Sequence, residues 1–106
     1  MPKLKLLDIR CIKCGEVGGE EPYLKVRGNK VWSNNDMKAG MTISLRSLAP
    51  IAFNDDCPVV LMEKDRFRDD ELGSATVVAD AKGQGQQEIN FDEGGSHYQL
   101  IYEVIE

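Results

Sequence analysis

Apolar and polar residues alternate with a period of two along most of this 106-residue chain. Near the C-terminus Tyr98, Leu100, Tyr102 and Val104 fall on one face of an extended segment. Met41, Ile43 and Leu45 alternate with Thr42, Ser44 and Arg46; Leu24 and Val26 alternate with Lys25 and Arg27; Ile89 and Phe91 alternate with Glu88 and Asn90. Such alternation predicts strands with one face buried. Gly, Asn, Asp and Pro clusters interrupt these segments roughly every 8–14 residues, and helical periodicity is almost absent. The pattern predicts an all-β fold, a single antiparallel β-sandwich of about eight strands spanning residues 1–106 as one domain.

Two local features refine that expectation. Leu4 and Leu6 share one phase while Leu7, Ile9 and Cys11 share the other, so the first strand either carries a bulge or is covered on both faces. Gly28-Asn29, both tolerant of positive φ, is the expected two-residue turn of a hairpin running from Tyr23 to Trp32.

Charge narrows the function. The chain carries a formal net charge of −5, which disfavours nucleic acid as a partner. The N-terminal lysines precede no signal-length apolar run, and nothing approaches the roughly 18 apolar residues that span a bilayer; the expected location is cytoplasmic. Cys11, Cys14 and Cys57 are an odd set that cannot all pair. They read as reduced thiols in strands, the competing reading being a zinc site completed by His97. No nucleophile elbow or phosphate loop is present, and nothing in the sequence sets the sole histidine, His97, beside a thiol. The expectation is a protein that is not an enzyme.

The most unusual stretch links two of the predicted strands. Glu63, Asp65, Asp69, Asp70 and Glu71 place five carboxylates within nine residues. Like charges this close repel, and each raises the others' pKa. Crowded carboxylates between rigid strands suit a hard, oxygen-seeking cation such as calcium. The plainer alternative is a solvated acidic hairpin tip.

Two segments together resemble the C2 domain of synaptotagmins and protein kinase C. Gly18-Gly19-Glu20-Glu21-Pro22-Tyr23-Leu24-Lys25-Val26 is similar to that family's G-x-S-D-P-Y-V-K-V. Glu63-Lys64-Asp65 through Asp70-Glu71-Leu72-Gly73 is similar to its D-x-D…D-x-hydrophobic-Gly. The resemblance implies a calcium- and lipid-binding sandwich whose ligands would be Glu21, Glu63, Asp65 and Asp70. Glu21 and Glu63 depart from the family's Asp, and the longer side chain displaces each carboxylate. The resemblance further implies a phospholipid surface or a protein as partner, with peripheral membrane association. Phe67, flanked by Arg66 and Arg68, has two readings: a wedge for the acyl boundary with cations for head groups, or a cap folded back on the sandwich. Lys25, Arg27 and Lys30 form either a small basic stripe or an ordinary solvated strand face. The runner-up function is a calcium-independent interaction or structural domain with no metal site.

Overall fold

Tyr98, Phe91 and Phe53 are the largest of the buried side chains that fill the space between two antiparallel sheets. The structure is a computed structural model describing residues 1–106. Its elements are β1 (Lys3–Lys13), β2 (Pro22–Val26), β3 (Asn29–Ser33), β4 (Thr42–Ser44), β5 (Ile51–Ala52), β6 (Asp56–Glu63), β7 (Asp70–Val78), a 3-10 turn (Ala79–Ala81), β8 (Gln87–Phe91) and β9 (His97–Ile105). One sheet has the order β4-β1-β9-β8 with β5 also on β1, and the other has the order β3-β2-β6-β7. The all-β sandwich is therefore as the alternation predicts, with the two-residue β5 as an added short strand.

The phase change in β1 is a bulge, since the pairing with β9 slips between Leu6 and Asp8. Both Leu6 and Leu7 are thereby buried. The expected Gly28-Asn29 turn is displaced by one residue. Val26 pairs with Asn29, so Arg27 and Gly28 form the turn, both at positive φ (53° and 81°). Arg27 tolerates this conformation while its guanidinium donates to the Ala52 carbonyl at 2.7 Å. That contact removes Arg27 from the basic stripe.

At Gly73 the two sheets are in close contact. A Cβ on Gly73 would lie 2.7 Å from Phe91 Cβ, so only glycine lets β7 approach β8 this tightly.

Register fixes which loops share an end. Pro22 and Asp70 both pair with Glu63, and Lys13 pairs with His97. Segments 14–21, 34–41, 64–69 and 92–96 therefore gather at one end of the sandwich. Met37, from the second of these, is fully buried and plugs the core there.

Candidate functional site at one loop end

Strand parity decides which acidic residue of the first loop turns inward. Pro22, Leu24 and Val26 are buried, and Glu20 shares their parity. Glu20 is only 1% exposed, whereas Glu21, of the outward parity of Tyr23, is exposed. A buried carboxylate needs donors to replace water. Glu20 Oε2 accepts from the Ser96 hydroxyl at 2.7 Å, and Oε1 accepts from the Tyr98 hydroxyl at 3.0 Å. Ser96 Oγ also accepts the Gly15 N–H at 3.2 Å, so one hydroxyl holds both ends of the 15–20 segment. The Glu20 backbone pairs in both directions with Met37, at 2.8 and 2.9 Å.

Glu63, the last residue of β6, is the second buried acid at this end. Burial, then the charges of Glu20 and Glu16, push its carboxyl up to about 7. The neighbouring Glu16 carboxyl adds to this rise, and the Glu21 N–H acts in the opposite direction. No lysine or arginine forms an ion pair with Glu16, Glu20 or Glu63.

The 64–69 loop is tied by its own acids. The Tyr23 hydroxyl donates to Asp69 Oδ2, and Asp69 Oδ1 accepts the Asp65 N–H at 3.0 Å. The Tyr23 bond holds Asp69 below the usual carboxylate range and pushes the Tyr23 phenol up to about 12. Asp65 Oδ1 turns back to the Arg66 N–H. The Lys64 N–H donates to the Glu21 carbonyl at 3.0 Å, linking this loop to the first.

Of the expected ligands, Glu63 is buried, while Glu21, Asp65 and Asp70 are exposed. No three His, Cys, Asp or Glu side chains form a group able to hold a metal ion. The structure thus buries one of the four carboxylates and leaves three exposed, without grouping them as the six to eight oxygens around one calcium ion would require. Cys11, Cys14, Cys57 and His97 are likewise not brought together as a group. Cys11 and Cys57 are buried and all three thiols are free; burial pushes each thiol up.

The apolar tips stand out in the opposite way. Phe67 is 93% exposed, and the reading in which it caps the sandwich is excluded. The Arg66 guanidinium sits 5.7 Å from its ring centroid, and Arg68 is exposed beside it. Val17 in the 14–21 loop is fully exposed at the same end. Sequence reasoning did not single out Val17, a lone apolar residue in a Gly-rich acidic loop. Nearby, a cleft of about 420 Å³ is lined by Tyr23, Lys25, Lys30, Lys64, Asp65 and Asp69, with Lys30 Nζ 5.4 Å from the Tyr23 ring.

No protein-family model matches the chain, and no curated protein matches it. Solved structures do. A structure of the paired C2 domains of Extended-Synaptotagmin 2 is similar at a TM-score of 0.58 and 14% identity, covering 98% of this chain and 39% of that one. A structure titled only as a C2 domain is similar at 0.51 and 18% identity, covering 97% and 96%. Human GIVD cytosolic phospholipase A2, solved with a methyl gamma-linolenyl fluorophosphonate inhibitor and terbium chloride, is similar at 0.53 and 12% identity. The alignment with it covers 99% of this chain and 17% of that one. The chain thus spans about two fifths of the first and under a fifth of the last. These likenesses show a C2-like fold.

Proposed function

We propose that this C2-like sandwich is a non-enzymatic binding module that docks its loop end onto an anionic phospholipid surface. The observation that carries the reading is Phe67, 93% exposed on a loop tip between Arg66 and Arg68, with fully exposed Val17 at the same end. An aromatic ring beside cations suits the boundary between head groups and acyl chains. Burying the ring contributes about 1.5–3 kcal/mol, and each arginine about 1 kcal/mol near an anionic leaflet. Docking on these contacts is weak, reversible and salt-sensitive.

A catalytic reading has less support. His97 Nε2 is engaged by Asn90 Oδ1 at 2.9 Å, and the thiols, pushed up by burial, are poor nucleophiles at neutral pH. The test of docking is sedimentation with phosphatidylserine-containing vesicles against phosphatidylcholine vesicles, at low and high salt. Binding to the anionic vesicles that falls with salt supports the reading. Absence of binding to either kind sinks it, and a protein partner then becomes the better account.

A further inference from the structure

A loop end that takes up a divalent ion has to present several free oxygens around one point. Here the carboxylates of Glu20, Asp65 and Asp69 are already engaged within the protein. Both oxygens of Glu20 accept hydroxyl hydrogen bonds, from Ser96 and Tyr98. Both oxygens of Asp69 are taken, by Tyr23 and by the Asp65 N–H. Asp65 is turned back to its own loop. The exposed acids, Glu21 and Asp70, are not grouped with any other two acids in a metal-holding set.

Residues 20 and 21 in turn join all four segments of this end. Glu20 reaches the 92–96 turn and β9 through Ser96 and Tyr98, and the 34–41 segment through Met37. Glu21 reaches the 64–69 loop through Lys64. Gly15 closes the circuit on Ser96, packed so tightly that a Cβ there would lie 2.9 Å from Ser96 Oγ. We infer that the Glu20 carboxylate and its hydroxyl partners brace the loop end internally, so that it engages its target without a divalent cation. The inference rests on the docking reading for what the end engages, but the brace and the lack of an ion are properties of the free protein.

Calcium chloride titration of the free chain, followed by NMR, tests the ion. No saturable shift at Glu63, Asp65 or Asp70 is expected up to about 1 mM, the weak end of protein calcium sites; a saturable shift overturns the inference. Hydrogen exchange tests the brace. Ser96→Ala leaves the Gly15 N–H and one Glu20 oxygen without a partner, and exchange across residues 15–20 should rise at least about tenfold. Tyr98→Phe provides a second variant should the first fail to fold. Unchanged exchange in the folded variants overturns the brace. Phosphatidylserine vesicles in chelator and in calcium separate the two claims. Equal binding supports ion-free docking, and binding seen only with calcium overturns it while leaving the docking reading intact. Absence of vesicle binding in both buffers, with a silent titration, removes the docking reading and upholds the absence of an ion.

Discussion

The Tyr98 hydroxyl donates to Glu20 Oε1 at 3.0 Å between residues 78 positions apart in the chain, deep under the loop end. Removing that hydroxyl alone leaves a buried carboxylate with one donor fewer. Tyr98→Phe is expected to destabilise the fold by about 1–3 kcal/mol in urea unfolding. A change below about half a kcal/mol would show that solvent reaches Glu20 and that the bond contributes little.

The Tyr23–Asp69 bond has a spectroscopic signature. The hydrogen bond that the Tyr23 hydroxyl donates to Asp69 pushes the phenol up to about 12, against an ordinary 10.0. In Asp69→Asn the phenol should return toward 10, read by ultraviolet titration of tyrosinate. Burial holds Tyr98 and Tyr102 above the ordinary value as well, so the phenol that moves toward 10 in the variant is that of Tyr23. A phenol with its midpoint near 10 in the unsubstituted chain would contradict the bond.

Glu63 sets a pH dependence of stability. Its folded pKa, about 7, lies above the ordinary 4.5, so the folded chain holds a proton that the unfolded chain releases between those values. Its contribution therefore makes stability fall as pH rises from about 4.5 to about 7, then level off. Glu63→Gln removes this slope, and over that window the variant should gain on the parent by on the order of 2–3 kcal/mol. Asp69 and Glu106 have lowered values and act the other way: their contribution is full above the ordinary 3.8 and 4.5 and is lost as pH falls from there through the lowered values. Parallel stability curves for parent and variant across pH 4.5–7 would refute the assignment.

Gly73 is a packing constraint rather than a turn. Gly73→Ala would drive a methyl group into Phe91 at 2.7 Å, and forcing β7 from β8 should cost about 1–3 kcal/mol or more. Thermal unfolding checks this, and an unchanged midpoint would mean that the sheets have slack there.

Strand alternation made the sandwich and the buried face of β9 legible, because a period of two directly reports burial, and it narrowed β1 to a bulge or two-sided cover, of which the register with β9 selects the bulge. The same parity distinguishes Glu20 from Glu21: counting back from Leu24 and Val26 puts Glu20 inside. Matching the first segment to a motif instead selected Glu21, which points outward. The partners of Glu20 could not be read from the chain, since Ser96 and Tyr98 lie 76 and 78 residues away and only the sheet order brings them in. Met37 was hidden because a loop residue has no periodicity to betray its burial. The displaced turn at Arg27-Gly28 follows from β2–β3 register, which a local dipeptide does not specify.

The central claim is that the exposed tips at one end make contact with an anionic membrane surface. The most direct measurement is sedimentation of Phe67→Ala with phosphatidylserine-containing vesicles in the presence of chelator, beside the unsubstituted chain. Loss of the Phe67 anchor should weaken binding at least about tenfold while the fold stays intact. Equal binding by the two proteins would contradict the claim.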